Sequence, residues 1–337
     1  MFMNTNFFKK TLWASITAIA LSACGGDKAP EQAAAPADAK EAKTLAITAI
    51  VEHPALDAAR TGAIEQLAAE GYKEGENLTV TFQSAQGNMA TAGQIAKQFV
   101  SDNPDVIYAI ATPSAQALAA ATSDLPIVFS AVTDPVEAKL VASLEKSDNN
   151  ITGASDVLPY EPQIELIREL VPNVKNVGFV YNPGEVNSTV VLKSLKEKLA
   201  PLGINVVEAP ASKSTDITQA AKSLVGKVDV FYTSTDNMVV NAYEAIYQVA
   251  KDAKIPLIAS NTEAVERGAV AALGVNYTDL GKESGKIIAR IFKGEKPADI
   301  PVFIPQKLDL VVSKKHAAEQ GLELPEAVLQ RATKVHE

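Results

Sequence analysis

From Thr44 onward, short runs of β-branched residues alternate with helix-length amphipathic stretches, and that alternation leaves few folds open to the chain. Strand, helix and strand in repeated succession form the βαβ unit, whose helices cover both faces of a parallel sheet. Strand-like runs lie at residues 44–51, 78–83, 106–110 and 127–130, with a second series at 176–181, 204–208, 228–233, 257–260 and 270–273. Amphipathic stretches at 55–69, 90–101, 186–199 and 242–251 separate them. The pattern predicts α/β architecture with two Rossmann-like halves. Between the two series, residues 150–156 (NITGASD) are extended, contain Gly and are flanked by polar residues, so a crossover between lobes is expected there. Residues 276–293 read as one amphipathic helix and 307–313 as one strand, pieces returned to the earlier lobes. The expected division is 44–153 with 276–298 for lobe I, and 154–275 with 299–332 for lobe II.

The segment before Thr44 has another character. Cys24 is the only cysteine, and it closes Leu21-Ser22-Ala23-Cys24 directly after a short apolar run. Lys9 and Lys10 supply a positive flank, and the apolar stretch 11–20 is too short to span a bilayer. Residues 1–23 are therefore expected to be a lipoprotein signal peptide and Cys24 the lipidated first residue of the mature chain, held to the membrane by acyl chains alone. Residues 24–43 are rich in Ala, Pro and charge with no apolar period, the composition of a flexible tether. At about 3.3 Å per residue, residues 27–42 of it reach on the order of 50 Å. The expected location is the cell envelope, on the periplasmic or extracellular face of a bacterial membrane. With no cysteine after Cys24, the fold needs a large core in place of disulfides.

A net charge of −9 argues against nucleic acid or an anionic lipid surface as partner, because both select basic patches. A small ligand is the expectation, for a chain taken as a monomer. Three histidines, two of them near the C-terminus, assemble neither a metal cluster nor a catalytic triad, so no enzyme, metal or cofactor is expected.

Ligands of doubly wound sheets bind beyond the carboxyl ends of the strands, and the residues there are polar. Thr112-Pro113-Ser114 follows the third strand and offers two hydroxyls and free backbone N–H groups at a helix start, suited to a carboxylate. No Gly-rich phosphate loop follows any strand. Glu52, Glu185 and Asp236 also follow strands, where buried carboxylates need a cation and a ligand ammonium could supply it. Each also has a plainer reading: helix-start capping for Glu185 and Asp236, a solvated loop for Glu52. His53, beside Pro54, reads as a structural residue at a helix start. Tyr160, Tyr181, Tyr232, Tyr243 and Tyr277 are candidate aromatic walls, of which Tyr160 follows the crossover and is expected to face the cleft. Anion donors on one side and carboxylates on the other describe a zwitterion such as an amino acid.

Eight of these segments occur together and in order: residues 51–57 (VEHPALD), 71–77 (GYKEGEN), 85–87 (AQG), 110–116 (IATPSAQ), 131–135 (AVTDP), 152–156 (TGASD), 181–185 (YNPGE) and 235–237 (TDN). In them the chain resembles the ABC transporter substrate-binding family, over residues 44–332. The resemblance implies a type I periplasmic-binding-protein fold, two lobes joined by three crossovers with a ligand between them, and an ABC permease with its ATPase as partners. It implies an aromatic amino acid as ligand. Carried onto this chain, Thr112 and Ser114 would hold the carboxylate with help near Thr133 and Asp156; Glu52, Glu185 and Asp236 become candidates for the ammonium, and Asn182, Asn187 and Asn237 for polar edges. A receptor presenting its ligand to a membrane signalling protein would use the same cleft.

Overall fold

The structure, a computed structural model, describes residues 41–337. The expected signal peptide, Cys24 and most of the tether lie outside the described residues. Among those described, no helix is long and apolar enough to cross a membrane.

The first half builds β1 (Lys43–Ala49), α1 (Pro54–Ala69), β2 (Leu78–Ser84), α2 (Met89–Asp102), β3 (Val106–Ile110), α3 (Thr112–Ala119), β4 (Ile127–Val132) and β5 (Ile151–Ser155). The second builds α4 (Tyr160–Leu170), β6 (Asn176–Tyr181), α5 (Val186–Leu199), β7 (Asn205–Pro210), α6 (Ile217–Leu224), β8 (Val230–Thr233), α7 (Asn237–Asn241), α8 (Tyr243–Ala253), β9 (Leu257–Ala259) and β10 (Ala271–Gly274). Then come α9 (Tyr277–Phe292), β11 (Asp309–Ser313), two short helices and β12 (Lys334–His336).

One sheet runs β2-β1-β3-β4-β5, every pair parallel. The other runs β12-β11-β10-β9-β8-β6-β7. Its β7-β6-β8-β9-β10 part is parallel and repeats the order of the first sheet. The α/β, two-lobed expectation is therefore met. The β3, β4 and β5 runs are buried throughout because helices cover both faces, which is why they read as continuous apolar stretches.

Three expectations shift. Residues 151–155 are the fifth strand of the first sheet and not yet a crossover, so the chain leaves lobe I at Asp156. Gly153 makes this strand possible: a Cβ there would lie 2.1 Å from Phe129 O on the neighbouring β4. Residues 299–303 do not return to the second lobe, since Phe303 N donates to Gly153 O and Ser155 N to Phe303 O, each at 2.9 Å. Finally, β11 runs antiparallel to β10, with β12 beside it past residue 332, so the second sheet is mixed rather than wholly parallel.

The helix after the second crossover, α9, packs on α1 backbone to backbone. A Cβ at Gly281 would lie 2.1 Å from Ala59 O, and one at Gly62 would lie 2.2 Å from Thr278 O. This close packing fixes Tyr277 and the α1 start, which carries His53, beside the carboxyl ends of the first sheet.

Candidate ligand-binding cleft

In a sheet of order 2-1-3-4-5 the chain reverses direction between the first and third strands, opening a crevice at their carboxyl ends. Each lobe has one such point, between β1 and β3 and between β6 and β8. A cavity of about 430 Å³ lies across both. Lobe I lines it with Ile50, Val51, residues 86–89 and Pro113; lobe II with Asn182, Glu185, residues 212–214 and Asn237.

The anion side begins at α3. Its N-cap is Ala111, at φ 76° and ψ 155°, backbone that only Gly adopts at little cost. Ala111 N donates to Ser130 O at 2.9 Å, so pairing with β4 holds this conformation. Ala131 at the end of β4 is also left-handed, φ 56°, beside a register shift between Ser130 and Val132. Thr112 is thus the first helical residue, one position inside the cap. Thr112 Oγ1 and Ser114 Oγ are buried with no hydrogen-bond partner, and no side chain caps α3. Pro113, between them, lines the cavity.

The three candidate carboxylates separate. Glu52 is exposed, so the solvated-loop reading describes it. Asp236 is fully buried, but both oxygens are taken: Oδ1 accepts from Met238 N (3.1 Å) and Val239 N (2.9 Å), Oδ2 from Asn182 N and Ser188 Oγ (both 2.6 Å). It caps α7 and ties the ends of β6 and α5 to it, as the helix-capping alternative for this residue has it.

Glu185 differs although it too precedes a helix. It makes no cap bond to α5. Its Oε2 accepts from Asn187 Nδ2 (3.0 Å), Asn237 N (3.0 Å) and Asn237 Nδ2 (2.6 Å), whereas Oε1 has only a long bond from Met238 N, 3.3 Å. Burial, then the neighbouring Asp236 charge, raises its pKa from 4.5 to about 7. Of the three, Glu185 alone lines the cavity with an oxygen lightly held.

The asparagines divide between scaffold and surface. Asn182 lines the cavity while its Oδ1 accepts from Gly184 N at 2.9 Å. Asn187 donates to Glu185 and to Thr235 O (3.0 Å), leaving its buried Oδ1 without a partner. Asn237 holds Glu185 from the start of α7. Facing Asn237 from lobe I is His53, 6% exposed, whose pKa burial and the Arg267 charge lower to about 3. His53 stays neutral and belongs to the lobe contact, a position its place beside Pro54 did not reveal.

Thr133 and Asp156 stand apart from this cavity, on a second void of about 20 Å³ shared with Tyr160, Gln163, Tyr232 and Thr235. Thr133 Oγ1 donates to Asp156 Oδ1 (3.2 Å), and Tyr277 OH to Asp156 Oδ2 (2.7 Å). Burial raises the pKa of Asp156. Tyr160 is half-buried on this void and does not line the larger cavity. Tyr243 is core, its OH 3.2 Å from Thr233 Oγ1, and Tyr181 lies against Phe179. Sequence reasoning did not single out Lys213, Gln163 or Thr235. Thr235 was findable as a strand-end hydroxyl; Gln163, inside α4, gave no signal.

Residues 44–336 match the family described as ABC transporter substrate binding protein. The chain is 44% identical over 277 residues to a tyrosine-binding protein of Clostridioides difficile, covering 82% of this chain and 80% of that one. Among solved structures it resembles a conserved domain protein of Vibrio cholerae (48% identity, TM-score 0.86, 88% of this chain and 100% of that one). It also resembles a domain from Streptococcus pneumonia in complex with L-Trp (35%, TM-score 0.84, 88% and 100%). A ligand-free, open substrate-binding protein with adhesive properties from Clostridium difficile is 42% identical, yet its TM-score is 0.67, over 87% and 99% of the two chains. More distant likenesses, at 13 to 17% identity, are ABC-transporter solute-binding proteins and share the fold. Two doubly wound lobes with a polar cleft at both switch points, and a family match over nearly all the described residues, make this chain a member of the ABC transporter substrate binding protein family.

Proposed function

We propose that the protein is the lipid-anchored, extracytoplasmic receptor of an ABC importer and captures a zwitterionic amino acid with an aromatic side chain between its lobes. The observation that carries this reading is that Pro113, flanked by the buried, unpartnered hydroxyls Thr112 Oγ1 and Ser114 Oγ, lines the same cavity as Glu185. Hydroxyls and backbone N–H groups at the start of α3 suit a carboxylate, and the lightly held Glu185 Oε1 suits an ammonium. Ile50, Val51, Pro113 and Met238 supply apolar walls for a ring, Met238 by a sulfur contact to its edge. The relatives named for tyrosine and bound to L-Trp favour the aromatic class. Asn182 and Asn237 form polar edges, and Cys24 carries the anchor. The receptor acts as a monomer and hands its ligand to the permease.

The test is a thermal-shift screen of the amino acids on a soluble form lacking residues 1–24. A ligand at 100 Kd adds about 2.7 kcal/mol of stability. Trp13 is the only tryptophan, so in this form bound tryptophan reports its own fluorescence. The expected hits are tyrosine, tryptophan and phenylalanine; if no amino acid shifts the melting point, the reading is wrong.

A further inference from the structure

Thr133 follows β4 in lobe I and Thr235 follows β8 in lobe II, and their hydroxyl oxygens lie 3.0 Å apart. The direction of this bond is set by what lies behind it. Thr133 gives its proton to Asp156 Oδ1 at 3.2 Å, so Thr235 must donate to Thr133. Asp156 takes a further proton donor, Tyr277 OH, on its other oxygen at 2.7 Å. The result is one chain, Thr235 to Thr133 to Asp156, met from the far side by Tyr277. Asp156 is the first residue of the first crossover and Tyr277 opens α9 just after the second. A single hydrogen-bonded run therefore joins both lobes to two of the connections on which they turn, and each bond polarises the next. Its lobe-to-lobe link forms only while the lobes are together. The overall arrangement is nearer to that of the Trp-bound relative than to that of the open, ligand-free one.

We propose that Thr133 and Thr235 form a closure latch: positioning residues that hold the lobes together through the crossovers and set ligand affinity without recognising the ligand. Apparent affinity scales with the fraction of molecules in the competent state. A latch between protein groups raises that fraction by the same factor for every ligand, whereas a ligand contact favours some ligands over others. Thr235 suits the test because, among the described residues, its hydroxyl bonds to Thr133 alone, so Thr235→Val removes the link and leaves the rest of the chain in place.

The experiment measures the affinity of L-tyrosine and of L-tryptophan, and the ligand-free scattering radius, for wild type, Thr235→Val, Thr235→Ser, Thr133→Val and Thr133→Val/Thr235→Val. Thr235→Val is expected to weaken both amino acids by one common factor of about three to ten, the worth of a net hydrogen bond. It is also expected to enlarge the ligand-free radius, and Thr235→Ser to restore both. The double variant should fall no further than Thr133→Val alone, because the two residues share one bond. The affinity arm rests on the amino-acid reading, but the scattering arm does not: if neither amino acid binds wild type, that reading fails while the ligand-free radius still decides the latch. An unchanged radius in Thr235→Val, or unequal factors for the two ligands, overturns the proposal.

Discussion

Glu185 offers the sharpest test, because its burial ties ligand capture to pH. In the folded protein its pKa is about 7, against 4.5 ordinarily, since it is buried and stands beside Asp236. A folded pKa above the unfolded one means that the folded chain holds the extra proton. The Glu185 contribution to ligand-free stability is therefore fully present below about pH 4.5 and is lost as pH rises through about 7. Ligand binding runs the other way, because an ammonium needs the ionised carboxylate. Glu185 is therefore mostly protonated at pH 5.5 and mostly ionised above pH 7. Affinity should thus rise by roughly an order of magnitude across that window, with protons released on binding at the acid end. His53, with its pKa lowered to about 3, stays neutral throughout and does not blur the profile. Calorimetry with L-tyrosine in two buffers of different ionisation enthalpy measures the affinity and the proton count together. Glu185→Gln should weaken binding by about 2 to 5 kcal/mol and flatten the pH profile. The difference in ligand-free stability between wild type and the variant should also change with pH between about 4.5 and 7, a readout that survives even if the variant no longer binds. Equal affinity at pH 5.5 and 7.5 in wild type, or a pH profile that persists in Glu185→Gln, would refute the assignment.

Other substitutions separate scaffold from surface. Thr112→Val with Ser114→Ala should weaken amino-acid binding at least tenfold yet leave the melting temperature unchanged or higher, since neither hydroxyl has a protein partner. Asp236→Ala should act on folding, costing about 2 to 4 kcal/mol by denaturant titration, because its four donors are stranded in the interior. Gly281→Ala drives a methyl into Ala59 O and should destabilise by at least about 1 to 3 kcal/mol in the same assay. Cys24→Ser should release the protein from membranes in a fractionation assay while its ligand affinity stays that of wild type.

Much of the fold was legible because burial on both faces of a parallel strand leaves a mark in sequence. Runs such as residues 106–110 and 127–132 are apolar without alternation, and the amphipathic stretches between them must be helices. The elements that escaped lack that mark. Residues 151–155 (ITGAS) read as a crossover because Thr, Gly and Ser interrupt the run, yet Gly153 is what lets β5 approach Phe129. The three-residue β12 is too short for any periodicity to show.

The order of strands and helices, and hence the placing of the site at strand ends, followed from sequence alone, since local periodicity and turn chemistry determine each element independently of its neighbours. What the sequence could not do was rank residues at equivalent positions. Glu185 and Asp236 both follow a strand and precede a helix, and nothing local distinguishes them. Their difference arises through space: donors from β6, α5 and α7 converge on Asp236 and fill both its oxygens, while the same α7 N–H groups leave one oxygen of Glu185 lightly held. The Thr133 and Thr235 contact, 102 residues apart in the chain, exists only because the lobes meet. Which polar groups are satisfied is decided by long-range partners, and only the tertiary structure supplies those.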